Sequence, residues 1–335
     1  MEKLFQKISL ASASVVLVIL VGIFISLFNS SKEAIDEFGL GFASNPTWNK
    51  EIVIEDKSAK ASVQESQMTQ DEDNIADEDD MDNMEESDNM DDDEIIDEDD
   101  ESPTGITKTI YGGLVPIVGT LLSTIIALLF ALPIAMGIAV FLSEIAPKNI
   151  SNVVGIAIEL LAAIPSIIFG MWGLYYFAPI VANIVGGYQV SLLTAGLVLG
   201  VMILPFMAAI TRDSMNTTPN VLKESAYALG ATKFEVIKDI IFPYSKVGII
   251  GSIILALGRA LGETMAVAFL IGSIFVLPQA INDPTISIPV AMANNFGEAS
   301  GLGESALFYL ALILFVISFA IISIAKFYFL KGVNK

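Results

Sequence analysis

The sequence predicts an all-α integral membrane protein with six transmembrane helices. Of its 335 residues, 54% are apolar, and its mean hydropathy of +0.67 is too high for a water-soluble domain. Six apolar runs are long enough to cross a bilayer as helices, for which about 20 residues suffice. These runs cover residues 8–28, 114–142, 153–177, 191–210, 247–274 and 306–330.

The first apolar run follows Lys3 and Lys7, as the core of a secretory signal would. It is longer than a typical signal core, and no small-residue cleavage pattern follows it. We therefore expect residues 1–28 to form an N-terminal anchor helix that is retained. The second and third runs contain Pro133 and Pro165, each of which can kink or break a membrane helix.

The chain contains no cysteine and no histidine. Disulfides, thiolate metal sites and histidine proton relays are therefore excluded. Because the dipeptide Gly-Lys is also absent, the sequence lacks the phosphate-binding loop of a P-loop ATPase. The sequence predicts no catalytic residue, no metal site and no nucleic-acid partner, and we do not expect the chain to be an enzyme.

The net charge of −21 is concentrated in one segment. Residues 29–105 contain 27 Asp and Glu but only four Lys, a net of −23, whereas the rest of the chain has a net of +2. With six spans, eleven of the 17 basic residues lie on the side of both termini, five lie on the other side, and Arg259 lies within the membrane. The positive-inside rule therefore predicts a cell (plasma or inner) membrane protein with cytoplasmic termini and an external acidic loop.

The external loop, residues 29–105, is expected to contain a disordered acidic insert at about 51–102. Residues 62–102 include no Lys, Arg or aromatic residue, and such a composition cannot bury enough apolar surface to fold. Calcium binding is the alternative, but the calcium-loop pattern needs a glycine and none occurs between residues 42 and 104. Residues 106–335 are predicted to form a core of five transmembrane helices.

Two ionisable residues, Arg259 and Glu263, interrupt the fifth apolar run. Charged groups at this depth cost about 2.5–3.5 kcal/mol each, so they usually face a partner, a cavity or a substrate path. Their i, i+4 spacing predicts that they stack on one helix face and form a pair. They are candidate substrate-path residues, and the alternative is a fixed ion pair that only orients the helix. A third carboxylate, Glu159, has Lys148 nearby and is expected to lie close to the cytoplasmic interface. It is expected to form a structural pair or cap, and a direct part in transport is the alternative.

The loop of residues 212–245, between the fourth and fifth runs, is predicted to form two short helices. Thr218 is expected to cap the first helix, and Gly230 is expected to end it. A capping box at Thr232 begins the second helix, and Pro243 is expected to close it. Two capped helices on the cytoplasmic face are suited to dock a soluble partner, although an ordinary connecting loop is the alternative.

Two motifs carry a family resemblance. The coupling loop (residues 212–245) resembles the EAA loop of binding-protein-dependent ABC transporter permeases, and the matching positions are Glu224, Ser225, Ala226, Gly230, Ile240 and Pro243. Ser225 stands where the usual form of that loop has an alanine. Residues 259–267 resemble the fifth-helix signature of phosphate permease subunits of the PstC type. The resemblance covers residues 1–50 and 105–330, so that only the acidic insert falls outside it.

The resemblance implies a type I ABC importer permease that forms half of a phosphate translocation path and couples to a separate ATPase. It implies a PstA-like second permease subunit, a PstB-like ATPase dimer that uses ATP, and an external PstS-like phosphate-binding protein, together with membrane lipid. No cofactor is expected on this chain itself. In this reading Arg259 binds two phosphate oxygens through its planar fork, and Glu263 competes for the arginine or accepts a hydrogen bond from a phosphate hydroxyl.

Three other functions remain open at this stage. The permease could serve another oxyanion, such as sulfate, molybdate or phosphonate. A secondary transporter driven by an ion gradient would be favoured by inverted repeats, and the sequence contains none that we can identify. A membrane sensor or scaffold should carry a recognisable soluble domain, which the acidic insert does not resemble.

Overall fold

The computed structural model describes residues 2–54 and 106–331, with side chains for residues 4–52 and 108–327. The predicted disordered insert at about 51–102 therefore lies almost wholly outside the described residues. The described part is mostly helical, as predicted, and six of its helices are long and apolar enough to cross a membrane. These six are Leu4–Ser30, Leu114–Ile145, Ser166–Val185, Leu192–Asn216, Lys233–Leu261 and Leu302–Phe327.

Thirteen α-helices are described. They are α1 (Glu2–Ser30), α2 (Lys32–Phe38), α3 (Leu114–Val140), α4 (Lys148–Ala162), α5 (Ser166–Trp172), α6 (Ala178–Val185), α7 (Leu192–Asn216), α8 (Asn220–Ala228), α9 (Lys233–Glu235), α10 (Phe242–Leu261), α11 (Met265–Ala268), α12 (Ile288–Asn295) and α13 (Leu302–Lys331). Three wider π-helical turns extend or join them: Phe141–Ile145 after α3, Gly173–Phe177 between α5 and α6, and Val236–Ile241 between α9 and α10.

The third membrane-spanning segment begins later than predicted. The run at 153–177 is divided, because α4 ends at Ala162 and α5 begins at Ser166, with Pro165 as its N-cap residue. A proline disfavours helical backbone in the residue before it, so Ile164 cannot continue α4. The break expected at Pro165 is therefore present, and the span runs from Ser166 to Val185.

The fifth span also differs from the prediction of 247–274. It runs from Lys233 to Leu261, so the second helix of the coupling loop and the span are one continuous helix. Pro243 does not close a helix, as was expected, but lies in the first turn of α10. Proline has no N–H to donate to the preceding turn of a helix. The π-helical turn before Pro243 alters the backbone hydrogen bonding there, so the missing N–H is tolerated.

The helices α3 and α7 pack together along their lengths, and small residues allow their backbones to approach closely. On α7, a Cβ on Gly196 would lie 2.6 Å from the Ile126 side chain, and a Cβ on Gly200 would lie 2.8 Å from Phe130. On α3, a row of alanines at four-residue spacing is fully buried; these are Ala127, Ala131, Ala135 and Ala139. This pair of helices forms the centre of the core.

The N-terminal helix α1 is exposed along almost its whole length, and it packs on α13. The rings of Phe24 and Phe315 contact each other in a tilted arrangement, with centroids 5.8 Å apart. At the end of α1, the Ser305 hydroxyl donates to the carbonyl of Ser30 at 2.9 Å and accepts from the backbone N–H of Ala34 at 3.0 Å. This buried serine attaches the start of α2 to the first turn of α13.

Residues 49–110 form a unit of their own, in which two strands are described that the sequence analysis did not anticipate. The strands β1 (Lys50–Ile54) and β2 (Ile106–Ile110) pair antiparallel, with Lys50 opposite Ile110 and Ile54 opposite Ile106. The pairing brings together the two chain ends from which the acidic insert departs.

Candidate functional site

The segment with Arg259 and Glu263 lies at the end of a helix. The helix α10 ends at Leu261, and Gly262 takes the non-helical dihedral angles φ −97° and ψ 1°. Arg259 is exposed in the last turn of α10, where its positive charge complements the partial negative charge of a helix C-terminus. Glu263 is half-buried and lies beyond the helix end.

The predicted stacking of Arg259 and Glu263 on one continuous helix is wrong, because the helix ends between them. Within the part of the chain that the structure describes, no ion pair joins the two side chains. The Glu263 carboxylate instead accepts a hydrogen bond at 3.3 Å from the backbone N–H of Ala266, which lies in the short helix α11. The glycine at 262 was the sequence signal for this break, since glycine commonly follows the last turn of a helix.

The backbone between α11 and α12 is non-helical and yet passes through the core. Leu270, Ile271 and Ile286 in this segment are at most 1% exposed. Two of its buried carbonyl groups have backbone partners: the Ser191 N–H donates to the Leu270 carbonyl at 2.8 Å, and the Thr285 N–H donates to the Ile271 carbonyl at 2.8 Å. In a membrane protein, irregular backbone is tolerated only where protein or a water-filled cavity surrounds it. The two ends of the segment, near Leu270 and Ile286, meet that condition, whereas Val276 and Ile281 between them are each 57% exposed.

The helix α3 holds the far end of this irregular segment. The Thr120 hydroxyl on α3 accepts a hydrogen bond from the backbone N–H of Ile288, the first residue of α12, at 2.8 Å. One position earlier, a Cβ on Gly119 would lie 2.1 Å from the Ile286 carbonyl oxygen, so that only glycine fits there. The segment that follows Glu263 is therefore fixed directly against α3.

The coupling loop contains both predicted helices, with a different start for the first. The helix α8 begins at Asn220 with Pro219 as its N-cap, and the Thr218 hydroxyl, expected to cap it, is buried without a hydrogen-bond partner in the structure. Gly230 follows the end of α8 with φ +88°, as expected for its role as a helix stop. The predicted capping box is present, because the N–H of Glu235 donates to the Thr232 hydroxyl at 3.4 Å and the Glu235 carboxylate accepts from the Thr232 N–H at 2.7 Å.

A small apolar cluster fixes the coupling loop to the ends of α3 and α7. Its buried members are Ala139, Met215, Val236, Ile237 and Ile241, and Ala226 and Ile240 pack against it. A groove of about 370 Å³ runs beside the cluster and is lined in part by Gly230, Glu235 and Asp239. Of the other predicted coupling residues, Glu224, Ser225 and Pro243 are exposed.

The outer face of the coupling loop carries large apolar side chains that the sequence analysis did not single out. Leu229 is 90% exposed, Phe234 71% and Val221 70%. In a soluble part of a protein, an exposed apolar patch of this kind marks a surface for a partner. These side chains were missed because the family motif directs attention to Glu224 and Gly230, and none of the three exposed side chains is a motif position.

Two ion pairs link the coupling loop and α4 to the rest of the chain, and both join residues far apart in sequence. Lys223 Nζ lies 2.5 Å from Glu144 Oε1, and the two side chains are only 16% and 10% exposed. Arg212 Nη2 lies 3.2 Å from Glu159 Oε1. The structural pairing expected of Glu159 is therefore present, and its described partner is Arg212.

The fold and these sites are those of a membrane component of a transport system. A family model described as "Binding-protein-dependent transport system inner membrane component" matches residues 110–333, and the chain belongs to this family. Two solved structures share the fold at low sequence identity. They are the MetNI methionine ABC transporter (18% identical, TM-score 0.51, covering 65% of this chain and 92% of that chain) and a bacterial alginate ABC transporter (16% identical, TM-score 0.50, covering 64% and 76%).

Curated relatives make the likeness more specific. The chain is 36% identical to the "Phosphate transport system permease protein PstC" of Mesorhizobium japonicum, over 98% of this chain and 90% of the relative. It is 49% identical to the protein of the same description from Pasteurella multocida, over 64% of this chain and 74% of the relative. The chain is thus similar to permeases of the PstC type along nearly its whole length.

Proposed function

We propose that this chain is a permease subunit of an ATP-driven, binding-protein-dependent phosphate importer. It forms one half of the translocation path, and a separate ATPase supplies the energy. The observation that carries the proposal is the similarity to phosphate permeases of the PstC type, which includes a relative aligned over 98% of the chain. The break in the fifth span at Arg259 and Glu263 supplies a chemically suitable site.

Arg259 is the proposed phosphate ligand. Its guanidinium is planar and always charged, and it can bind two phosphate oxygens at once. Its exposure on the single chain leaves it free to line a path shared with a second permease subunit. The C-terminal end of a helix repels anions, so at this position the arginine side chain, rather than the helix backbone, must attract phosphate.

Glu263 is proposed to favour phosphate over fully ionised oxyanions. One of its oxygens accepts from the Ala266 N–H, which holds the carboxylate in place just beyond Arg259. The carboxylate can then accept a hydrogen bond from a phosphate hydroxyl, whereas sulfate at neutral pH has no proton to donate. By weakening the hold of Arg259 on the anion, the nearby negative charge also allows phosphate to leave.

The coupling loop is the proposed docking site for the ATPase subunit. The apolar side chains of Val221, Leu229 and Phe234 provide a contact surface, and Glu224 beside them provides a charge for an arginine or lysine of the partner. The apolar cluster beneath the loop packs it against the ends of α3 and α7. The partners are a PstA-like permease, a PstB-like ATPase dimer that binds ATP, and an external PstS-like phosphate-binding protein.

In the proposed orientation the chain lies in the cell membrane with both termini and the coupling loop in the cytoplasm. The acidic segment of residues 29–105 is then external. This orientation follows from the distribution of basic residues. Attachment of a membrane-impermeant reagent to single cysteines introduced at residues 70 and 232 tests it, because the chain has no natural cysteine to interfere.

Reconstitution tests the function as a whole. The complex of this chain with its membrane neighbours is placed in liposomes with the external binding protein outside and ATP inside. We expect uptake of radiolabelled phosphate that requires ATP and is not reduced by excess sulfate, molybdate or phosphonate. Uptake of one of those anions instead would identify another oxyanion permease. Phosphate uptake driven by an ion gradient without ATP would contradict the proposal.

A further inference from the structure

We propose that the ion pair between Lys223 and Glu144 is a positioning device that transmits movement of the coupling loop to α3. The inference rests on the proposed function, since it assumes that an ATPase moves this loop. Lys223 lies on α8, directly before Glu224 of the family motif, and Glu144 lies in the π-helical turn that extends α3. The two residues are 79 positions apart in the chain.

The environment of this ion pair distinguishes it from an ordinary surface pair. Lys223 Nζ and Glu144 Oε1 are 2.5 Å apart, with side chains 16% and 10% exposed. Exposed ion pairs are screened by salt and contribute little. A pair shielded from water behaves differently, because separating the charges leaves each without a partner in a poorly solvated place. The contact between α8 and α3 is therefore held at one position.

The apolar cluster beside the ion pair cannot hold that position alone. Side chains such as Val236 and Ile241 can slide past Ala139 and still remain buried, because the hydrophobic effect has no direction. The ion pair adds a directional constraint, as buried polar pairs do when they set the register of packed helices. The apolar cluster thus holds the coupling loop against α3, and the ion pair between Lys223 and Glu144 fixes the position of the loop relative to that helix.

The helix α3 is placed to carry the movement to the substrate site. Together with its π-helical turn it forms one apolar helix of 32 residues, from Leu114 to Ile145. Near the end remote from Glu144, Thr120 binds the N–H of Ile288, and Gly119 lies against Ile286. Ile286 lies near the end of the irregular segment between α11 and α12, and Ile288 begins α12. A shift of α3 along its axis therefore moves the backbone that follows the proposed phosphate ligands.

Four variants in the intact, reconstituted complex test the inference. Lys223→Met and Glu144→Gln each remove one charge, and the double variant Lys223→Met/Glu144→Gln removes both, so that no unpaired charge remains to destabilise the fold. The exchange Lys223→Glu/Glu144→Lys reverses the pair. Lys148→Met and Glu159→Gln are matched controls: Lys148 is exposed, and Glu159 is an ion-paired carboxylate that is 60% exposed and lies on α4.

The measurements are ATPase retention in the purified complex and the number of phosphate ions transported per ATP hydrolysed. We expect both single variants and the neutral double variant to retain the ATPase while phosphate per ATP falls about two- to thirtyfold. The exchange variant should recover most of the loss, and the two controls should match the original chain. The inference is overturned if the neutral double variant assembles and transports as many phosphate ions per ATP as the original chain. It is also overturned if the exchange variant recovers none of the lost phosphate transport per ATP. If the original complex transports no phosphate at all, it is the proposed function that fails.

Discussion

Thr120 and Ile288 are 168 residues apart, and the side-chain oxygen of the first accepts the backbone N–H of the second at 2.8 Å. Both residues are buried, at 3% and 0% exposure. The first N–H groups of a helix have no partner within the helix, and Pro289, the second residue of α12, has no N–H. The bond from Ile288 to Thr120 therefore satisfies one of the remaining N–H groups at the start of α12. It also attaches the irregular segment to the central helix α3.

Replacement of Thr120 by valine should destabilise the complex, because valine has the same shape but leaves the Ile288 N–H without a partner. An unsatisfied buried donor costs about 1–3 kcal/mol. The check is the melting temperature of the purified complex, which should fall. Ser123→Ala is the control, since the Ser123 hydroxyl donates only to the carbonyl of Thr120 on its own helix. Equal melting temperatures for both variants would contradict the assigned role of Thr120.

Arg259→Gln should abolish phosphate uptake while leaving the complex assembled, because the anion loses its proposed cation. Arg259→Lys should restore only part of the activity, since an ammonium group lacks the bidentate fork. Uptake is measured at equal membrane abundance, and Lys326→Gln, an exposed basic residue on α13, serves as the control. Normal uptake by Arg259→Gln would show that the arginine does not line the path.

Gly230→Val should weaken ATPase binding or uncouple ATP hydrolysis from transport. The φ of +88° is one that a residue with a side chain adopts at a cost of about 1–2 kcal/mol. A Cβ at Gly230 would meet no atom within 4 Å, so the expected effect is a change of loop backbone rather than a clash.

Gly186→Val is the matched control for Gly230→Val. Gly186 has φ +81° and equally open space around it, but it follows α6 and lies outside the coupling loop. Pull-down of the ATPase and phosphate-stimulated hydrolysis distinguish the two variants. If Gly230→Val behaves like Gly186→Val in both assays, the coupling loop does not dock the ATPase through this turn.

Deletion of residues 62–102 should leave assembly and maximal uptake intact. Because Ile54 pairs with Ile106, the residues that remain after the deletion can join β1 to β2 as an ordinary hairpin loop. The net charge of −23 over residues 29–105 should repel phosphate, and the repulsion should fade as salt shortens the Debye length from ~10 Å at 0.1 M to ~3 Å at 1 M.

The comparison for this deletion is uptake by the full-length and shortened chains across a salt series. At low salt the deletion should speed the capture of phosphate or the docking of the binding protein, and at high salt it should make little difference. Loss of uptake at every salt concentration, in a complex that still assembles, would show that the acidic residues have a specific role.

The number of spans could be predicted because each depends on a local excess of apolar residues over about 20 positions. The start of the third span was misplaced because α4 is amphipathic, and its apolar face merges in sequence with the span that follows Pro165. The end of the fifth span was misplaced for a related reason. Residues 265–277 are largely apolar, and part of this stretch lies in the protein core, where Leu270 and Ile271 are fully buried. A hydropathy average cannot distinguish such burial in protein from burial in lipid.

The local chemistry of the coupling loop was also accessible from sequence, since the capping box at Thr232 and the turn at Gly230 depend on neighbouring residues alone. The contacts between Lys223 and Glu144 and between Thr120 and Ile288 could not be predicted in this way. Each joins residues brought together only by the packing of α3. The strands β1 and β2 were missed because their partner segments are separated by the acidic insert.

The attachment of α1 through Ser305 has a consequence for the order of events during synthesis. Ala34 and Ser305 are 271 positions apart, and at ~5–20 residues per second the ribosome needs about 15–55 s to make that length of chain. Throughout this interval α1 has no α13 to bind, so it must enter the bilayer and remain there unaided. Its 27-residue apolar helix, which contains an 18-residue window with a mean hydropathy of 2.8, is sufficient for that. The serine contact can join α1 to α13 only after residue 305 has been made.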